Sequence, residues 1–346
     1  ADPAVPVTDL KFVGAHTLLN SLTMLMYNKP LVNIQKDADI LADISLKCQS
    51  TDGELKKMKA KMLLDEPIVQ NVVYDFRIPL KLLGRIQNLI PTNAISTPLE
   101  INCSFNTYFQ RLFYSDASRS YTNAAFSLDN LHLEVDFVRI TPMLYQSYIN
   151  LIKTNNGIIL PFNTYSIEKR SLQNITGFNL NLNANYINLI SLLQVPYNNV
   201  TDGRKNFYTQ VEFNTDSLSA ASNYLVNFDS STYFNLNGNK GTAGKASFAE
   251  ALDRVIATYE TNQSDSGASL VESIDDNQIL AVSFLKSKDS TSPFVSNSGV
   301  NGNRMNGRLD CAVTFNNPIA ANKSLYSIMK YTRRIIFRNG QLDVLS

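Results

Sequence analysis

The chain lacks tryptophan altogether, has only two histidines and three cysteines, and carries a formal net charge of +1 over 346 residues. Each shortage removes a class of function. Three cysteines, Cys48, Cys103 and Cys311, are too few and odd in number for a disulfide framework. Cys103 and Cys311 fall on the apolar phase of alternating segments, so both are expected to be buried free thiols, since a free cysteine packs as a small hydrophobe. His16 and His132 are far apart and form no HExxH or Cys/His spacing, so no metal site is expected. A balanced charge gives no field to gather nucleic acid or anionic lipid, so sequence-specific or electrostatic nucleic-acid binding is not expected. No apolar run approaches the roughly 20 residues of a membrane helix. Residues 1–7 show no basic segment leading into an apolar one, so no signal peptide is visible. Charged residues make up 18%, below the roughly 25% of an average domain.

What is present is alternation. Met58, Ala60, Met62 and Leu64 alternate with Lys57, Lys59, Lys61 and Leu63. Tyr74 to Leu82, Leu99 to Phe105, Leu131 to Phe137 and Leu309 to Phe315 alternate in the same way. Period two marks strands with one dry face, and wet faces on many strands belong to antiparallel sandwiches rather than to parallel sheets. Helical spacing is rarer. It predicts short helices over Ala15 to Tyr27, over Pro142 to Lys153 behind a Thr141 N-cap with proline at the first helical position, and over Ser247 to Tyr259. A length of 346 residues exceeds what one core serves well, so two domains are expected. The aperiodic stretch Ser115 to Ala125 puts the boundary at 118/119.

Asparagine, serine and threonine are over-used, and they collect in two long loops of the second half. Asn235 to Gly244 (with Gly238 and Lys240) and Ser287 to Gly307 (with Ser292, Asn297 and Asn303) are candidate contact or recognition loops; tolerated insertion is the competing account. In so asparagine-rich a chain the four sequons at Asn174, Asn199, Asn262 and Asn322 read as chance. Gly238-Asn239-Lys240-Gly241-Thr242 lacks phosphate-loop spacing, and Asp275-Asp276 reads as a solvated turn, so no catalytic constellation stands out and no cofactor is expected. Lys57, Lys59 and Lys61, with Lys56, form a candidate inner or lateral basic face on a strand. Near the C-terminus, Lys330, Tyr331, Arg333, Arg334, Phe337 and Arg338 mix arginine with aromatics as subunit interfaces do, and are candidate interface residues.

One stretch is more specific. Leu131 to Phe162 reads LHLEVDFVRITPMLYQSYINLIKTNNGIILPF: an alternating run, a helix with Tyr-Gln-Ser-Tyr, an Asn-Gly turn, then Ile-Ile-Leu-Pro-Phe. It resembles the opening of the second jelly roll in double jelly-roll major capsid proteins of tailless icosahedral viruses, the lineage of tectivirus, corticovirus and adenovirus. Phe76 to Phe105 is similar to the closing strands of that family's first jelly roll, and Arg308 to Phe315 with Leu325 to Phe337 to the last strands of the second. The resemblance covers about half the chain. It implies an all-β fold of two tandem eight-stranded antiparallel jelly-roll sandwiches with a few short helices. On that reading residues 1–118 are a compact or N-terminally incomplete first jelly roll, and 119–346 a second with longer loops. It implies a non-enzymatic coat protein of the virion shell that trimerises into pseudo-hexagonal capsomers. The partners implied are its own copies, neighbouring capsomers, penton and minor capsid proteins, and an internal membrane or the genome beneath. The alternative from the residues is a secreted or surface β-sandwich that binds carbohydrate.

Overall fold

The computed structural model describes residues 10–50, 52–69, 71–86, 98–115, 126–135, 138–154, 157–172, 174–199, 204–209, 221–228, 231–237, 242–259, 279–285, 299–302, 307–315, 318–319, 323–338 and 341–345. The first half contains β1 (Leu10–Phe12), β2 (Leu19–Met26), β3 (Lys29–Ile34), α1 (Ala38–Gln49), α2 (Asp52–Met62), β4 (Glu66–Pro67), β5 (Arg85–Ile86), β6 (Leu99–Phe105), α3 (Phe109–Leu112) and β7 (Phe113–Ser115). Its strands form two small antiparallel sheets, ordered β4-β1-β7 and β3-β2-β6.

Several expectations change here. The helix expected over Ala15 to Tyr27 is a single 3-10 turn, Ala15–Leu18, followed by β2. Tyr27 and Asn28 both have left-handed φ (52° and 57°), and Met26 pairs directly with Lys29. Such a two-residue turn matches the twist of paired strands, so the local hairpin outcompetes the helical spacing. The strand expected at 57–64 is instead helix α2. Its 11 residues include no β-branched side chain, and Leu55, Met58 and Met62 recur at i, i+3 and i+7. The alternation there satisfied two periods, and propensity decided between them. Residues 74–78 alternate in burial but join no strand among the described residues, and Leu80–Leu82 is a 3-10 turn. Residues 131–135, expected as part of a strand, are all exposed and likewise join none among the described residues. β6 forms where expected, yet Cys103 on it is exposed, because β6 is the outer strand of its sheet; Cys48 and Cys311 are buried.

The second half opens with α4 (Pro142–Lys153), where Thr141 Oγ1 accepts from the Leu144 amide at 3.4 Å and Pro142 begins the helix, as expected. There follow β8 (Ile158–Leu172), β9 (Gly177–Asn183), β10 (Asn188–Asn198), β11 (Ala221–Phe228), β12 (Ser231–Asn237), α5 (Thr242–Ile256), β13 (Leu280–Ser283), β14 (Arg308–Phe315), β15 (Lys323–Arg338) and β16 (Gln341–Leu345). Eight of these strands pair as a rolled-up hairpin. β8 lies against β15, β9 against β14, β10 against β13 and β11 against β12, each antiparallel. The result is two facing sheets, β13-β10-β15-β8 and β12-β11-β14-β9, which is the eight-stranded jelly roll. β5 from the first half and the terminal β16 extend the first of them.

Burial follows from this layering. β9 and β14 alternate cleanly, with Phe178, Leu180, Leu182, Leu309, Cys311, Val313 and Phe315 inward. β10 and much of β15 are dry on both faces. Leu192, Leu325 and Met329 pack toward the facing sheet. Leu193, Val195, Tyr197, Tyr326 and Ile328 pack instead with α1, α5 and residues of the first half, in the largest core of the molecule. A strand between two dry layers must be apolar without interruption, and NLISLLQVPYN is nearly so.

Gly157 connects α4 to β8 at φ +61°, and an added Cβ there would collide with the Phe337 carbonyl oxygen. Gly157→Ala is therefore expected to cost about 2 kcal/mol or more, combining left-handed strain with displacement of β15. Urea unfolding measures this, and an unchanged midpoint would count against the turn geometry.

Candidate functional site

Among the described residues there is no group of three or more His, Cys, Asp or Glu side chains placed to hold a metal, and no helix is long and apolar enough to cross a membrane.

The most concentrated polar chemistry is a buried seam between the halves. α1 is almost wholly buried, yet it presents Asp39 and Asp43 one turn apart. Arg111 on α3 bridges Asp39, and Asp37 just before the helix, to the second half. Its Nη1 donates to Asp37 Oδ1 at 3.0 Å and Asp39 Oδ2 at 2.9 Å, and its Nη2 to the Tyr326 hydroxyl on β15 at 3.1 Å. Asp39 Oδ2 also accepts from the Tyr208 hydroxyl at 2.7 Å and from Asn106 Nδ2 at 3.1 Å. Asp43 pairs with Lys47 at 2.7 Å and lies 3.4 Å from His16 Nε2, and Lys47 Nζ donates to the Tyr208 carbonyl at 2.9 Å. Burial pushes the Asp39 carboxyl above its ordinary pKa, with Arg111 and Tyr208 acting against that rise. For Asp43 burial again acts upward, but Lys47 and His16 outweigh it and hold the carboxyl below the usual range. Tyr197 stands edge-on to both Tyr208 and Tyr326, sealing the seam. With each carboxylate facing a cation and Arg111 bonded to residues of both halves, the arrangement clamps the halves together.

The candidate interface residues of β15 divide by burial. Lys330 is buried, donating to the Thr258 carbonyl with its ammonium 4.9 Å from the Tyr259 ring centroid. Tyr331 is buried and stacked on Tyr186 at 3.7 Å, and Phe337 lies in a core with Ile158, Leu160 and Leu342. Arg333 reaches back to the first half, donating to the Pro30 and Leu31 carbonyls at 2.7 and 3.0 Å. Arg334 is half-buried, and Arg338 is exposed beside Asp343. Lys57, Lys59 and Lys61 are all exposed, on a helix rather than a strand.

Of the expected loop Asn235 to Gly244, Asn235 lies in β12 and Gly244 in α5, because strand and helix each extend further than their side-chain pattern suggested. Gly238, Lys240, Ser292, Asn297 and Asn303 lie outside the described residues. Part of the second loop is pinned: Val300 exchanges backbone hydrogen bonds with Leu189 at 2.8 and 2.9 Å.

Sequence reasoning missed two features. One is the Arg111 seam, whose only signal was a pair of aspartates at i, i+4 on an otherwise apolar helix. The other is an exposed apolar stretch. Leu131, Leu133, Val135 and Val138 are each more than half exposed, as is Met143 on α4.

Fold comparison decides the class. Similar along nearly the whole chain are PBCV-1 VP54 as fitted into the virophage Sputnik reconstruction (TM-score 0.58, 10% identity, 99% of this chain and 90% of that chain) and the PBCV-1 virus capsid (TM-score 0.57, 10% identity, 99% and 90%). Its fold is that of the double jelly-roll major capsid proteins. The Faustovirus major capsid protein shares this capsid fold at a TM-score of 0.51 and 10% identity, over 96% of this chain and 74% of that one. No protein-family model and no curated protein matches the sequence. At 10% identity the capsid fold is retained by pattern and packing and hardly at all by residue identity.

Proposed function

We propose that the chain is the major capsid protein of an icosahedral virus, located in the virion shell, where three copies form a pseudo-hexagonal capsomer. The observation that carries this reading is the likeness along nearly the full chain to capsid proteins, at TM-scores of 0.51 to 0.58. The buried seam favours it as well, since a tile needs its two halves held at a fixed angle. In this reading the chain divides near 118/119 into one jelly roll per half. Half-buried Arg334, exposed Arg338, the lysines of α2 and the loops of the second half are then the candidates for contacts within or between capsomers. The role is structural and requires no catalysis.

Light scattering on the purified chain is expected to give about three times the 38.6 kDa protomer mass. Negative-stain images should show pseudo-hexagonal blocks. A stable monomer at every accessible concentration, with binding to immobilised glycans, would replace this reading with a carbohydrate-binding module.

A further inference from the structure

The exposed large hydrophobic side chains are unevenly distributed. Of the sixteen among the described residues, eight fall between Phe126 and Leu151 and three more are Val69, Val72 and Val73. Arg77, four residues beyond Val73, pairs with Glu134 of the longer stretch at 3.2 Å. These eleven side chains are 41% to 91% exposed. Summed over both stretches they present on the order of 1,000 Å² of apolar surface, near the ~800 Å² each partner contributes to a standard interface.

Among the described residues, no strand pairs with this surface and nothing covers it. Residues 131–135 have a strand's alternation but no strand partner among the described residues, and 126–130 run beside the first half, with Phe126 against Phe113. α4 is apolar on two sides. Its inner side, Tyr148 and Ile152, packs on β8 and β15. Its outer side, Met143, Leu144 and Leu151, faces outward around Ser147, whose hydroxyl is folded back onto the Met143 carbonyl. A helix apolar on both sides is normally covered on both, and a small residue between larger ones permits close approach.

We propose that residues 126–135 and 138–151 form a docking arm, and that a second copy of this chain covers it. The inference rests on the self-assembling coat reading and names the surface through which that assembly occurs. Charge favours a protein copy over lipid. Residues 126–152 hold Asp129, Glu134 and Asp136 against Arg139 alone, and 140–152 carry no charge. An anionic bilayer would call for flanking lysines and arginines, whereas a charge-depleted centre is what protein interfaces have. The chain also supplies a complementary surface of its own, since α2 exposes Lys56, Lys57, Lys59 and Lys61. One such patch per copy is enough to close a symmetric ring.

The test uses the full-length chain, a triple variant Leu131→Asp, Leu133→Asp, Val135→Asp, and a helix variant Leu144→Asp, Leu151→Asp. Analytical ultracentrifugation is expected to show an oligomer for wild type and self-association weakened at least a hundredfold in either variant. Circular dichroism and thermal midpoint of the separated monomers should match. Hydrogen exchange on wild type is expected to show the arm protected in the oligomer and fast in the dilute monomer. This second readout stands even if a variant fails to fold. A wild-type oligomer with a fast-exchanging arm, or variants that associate normally, would overturn the arm and leave the coat reading intact. Protection only on adding phosphatidylcholine–phosphatidylglycerol vesicles would assign the patch to lipid and overturn it too. A wild type monomeric at all concentrations would remove both.

Discussion

Arg111→Met is expected to lower the unfolding free energy by about 3–5 kcal/mol, a fall in thermal midpoint on the order of 5–10 °C. The variant keeps most of the side-chain volume and removes the charge, so Asp39 is left buried with no cation beside it. Asp39 Oδ2 keeps the Tyr208 and Asn106 hydrogen bonds, but neither supplies a counter-charge. The loss depends on pH in a defined direction. Burial already raises the folded-state pKa of Asp39 above 3.8 while Arg111 opposes it. A carboxyl whose folded pKa is raised favours folding most at low pH, and that contribution is lost as pH rises through the folded value. Removing Arg111 raises the folded pKa further, so the deficit should be larger at pH 7 than near pH 4, where Asp39 can protonate. The double variant Asp39→Asn, Arg111→Met is expected to be less damaging than the sum of the singles, because the two charges depart together. A pH-independent deficit, or full additivity, would mean that the seam is not held by the charge pair.

How far the residues themselves disclosed this molecule depends on how local each feature is. The helix at Pro142–Lys153 was legible because its cap, its proline and its period lie within 13 residues. β14 was legible because Leu309 to Phe315 alternates and is packed on one side only. α2 was not, because Met58, Met62 and their lysines fit periods of 2 and of 3.6 equally well in so short a window. The burial of Lys330 and Tyr331 was hidden for a different reason. Arginine and aromatics suit an interface between subunits and also the interface between halves of one chain, and only the fold shows that β15 runs between two packed layers. Residues 131–135 mark a third limit. Their alternation predicts a strand, yet 131–135 form none and are exposed throughout, because a side-chain pattern supplies no partner for the backbone to pair with. The seam was the least legible feature: Asp39, Arg111 and Tyr326 span 287 positions, and no local rule links them.

Phe162→Ala tests whether the two halves behave as one body, and is expected to cost about 3–5 kcal/mol. Phe162 on β8 is 1% exposed and shares a core with Met26 and Leu31 of the first half and with Ile335 and Phe337 of β15. Truncation leaves a void facing both halves, which relaxation of one sheet alone cannot close. Calorimetry of the separated protomer is expected to show a single transition for wild type and variant, with the whole peak moving down. The largest core contains Leu41, Ile44 and Leu112 from one half together with Val195, Tyr197 and Ile328 from the other, so neither half can unfold without exposing the other's apolar surface. Two peaks, with only the later one sensitive to Phe162, would mean that the halves are separate folding units that happen to touch. A single transition is what the proposed shell role asks of the chain, because contacts on outer walls set a defined curvature only if the two halves keep a fixed relation, and here a dry core on one side of β10 and β15 and the Arg111 clamp at its edge join them.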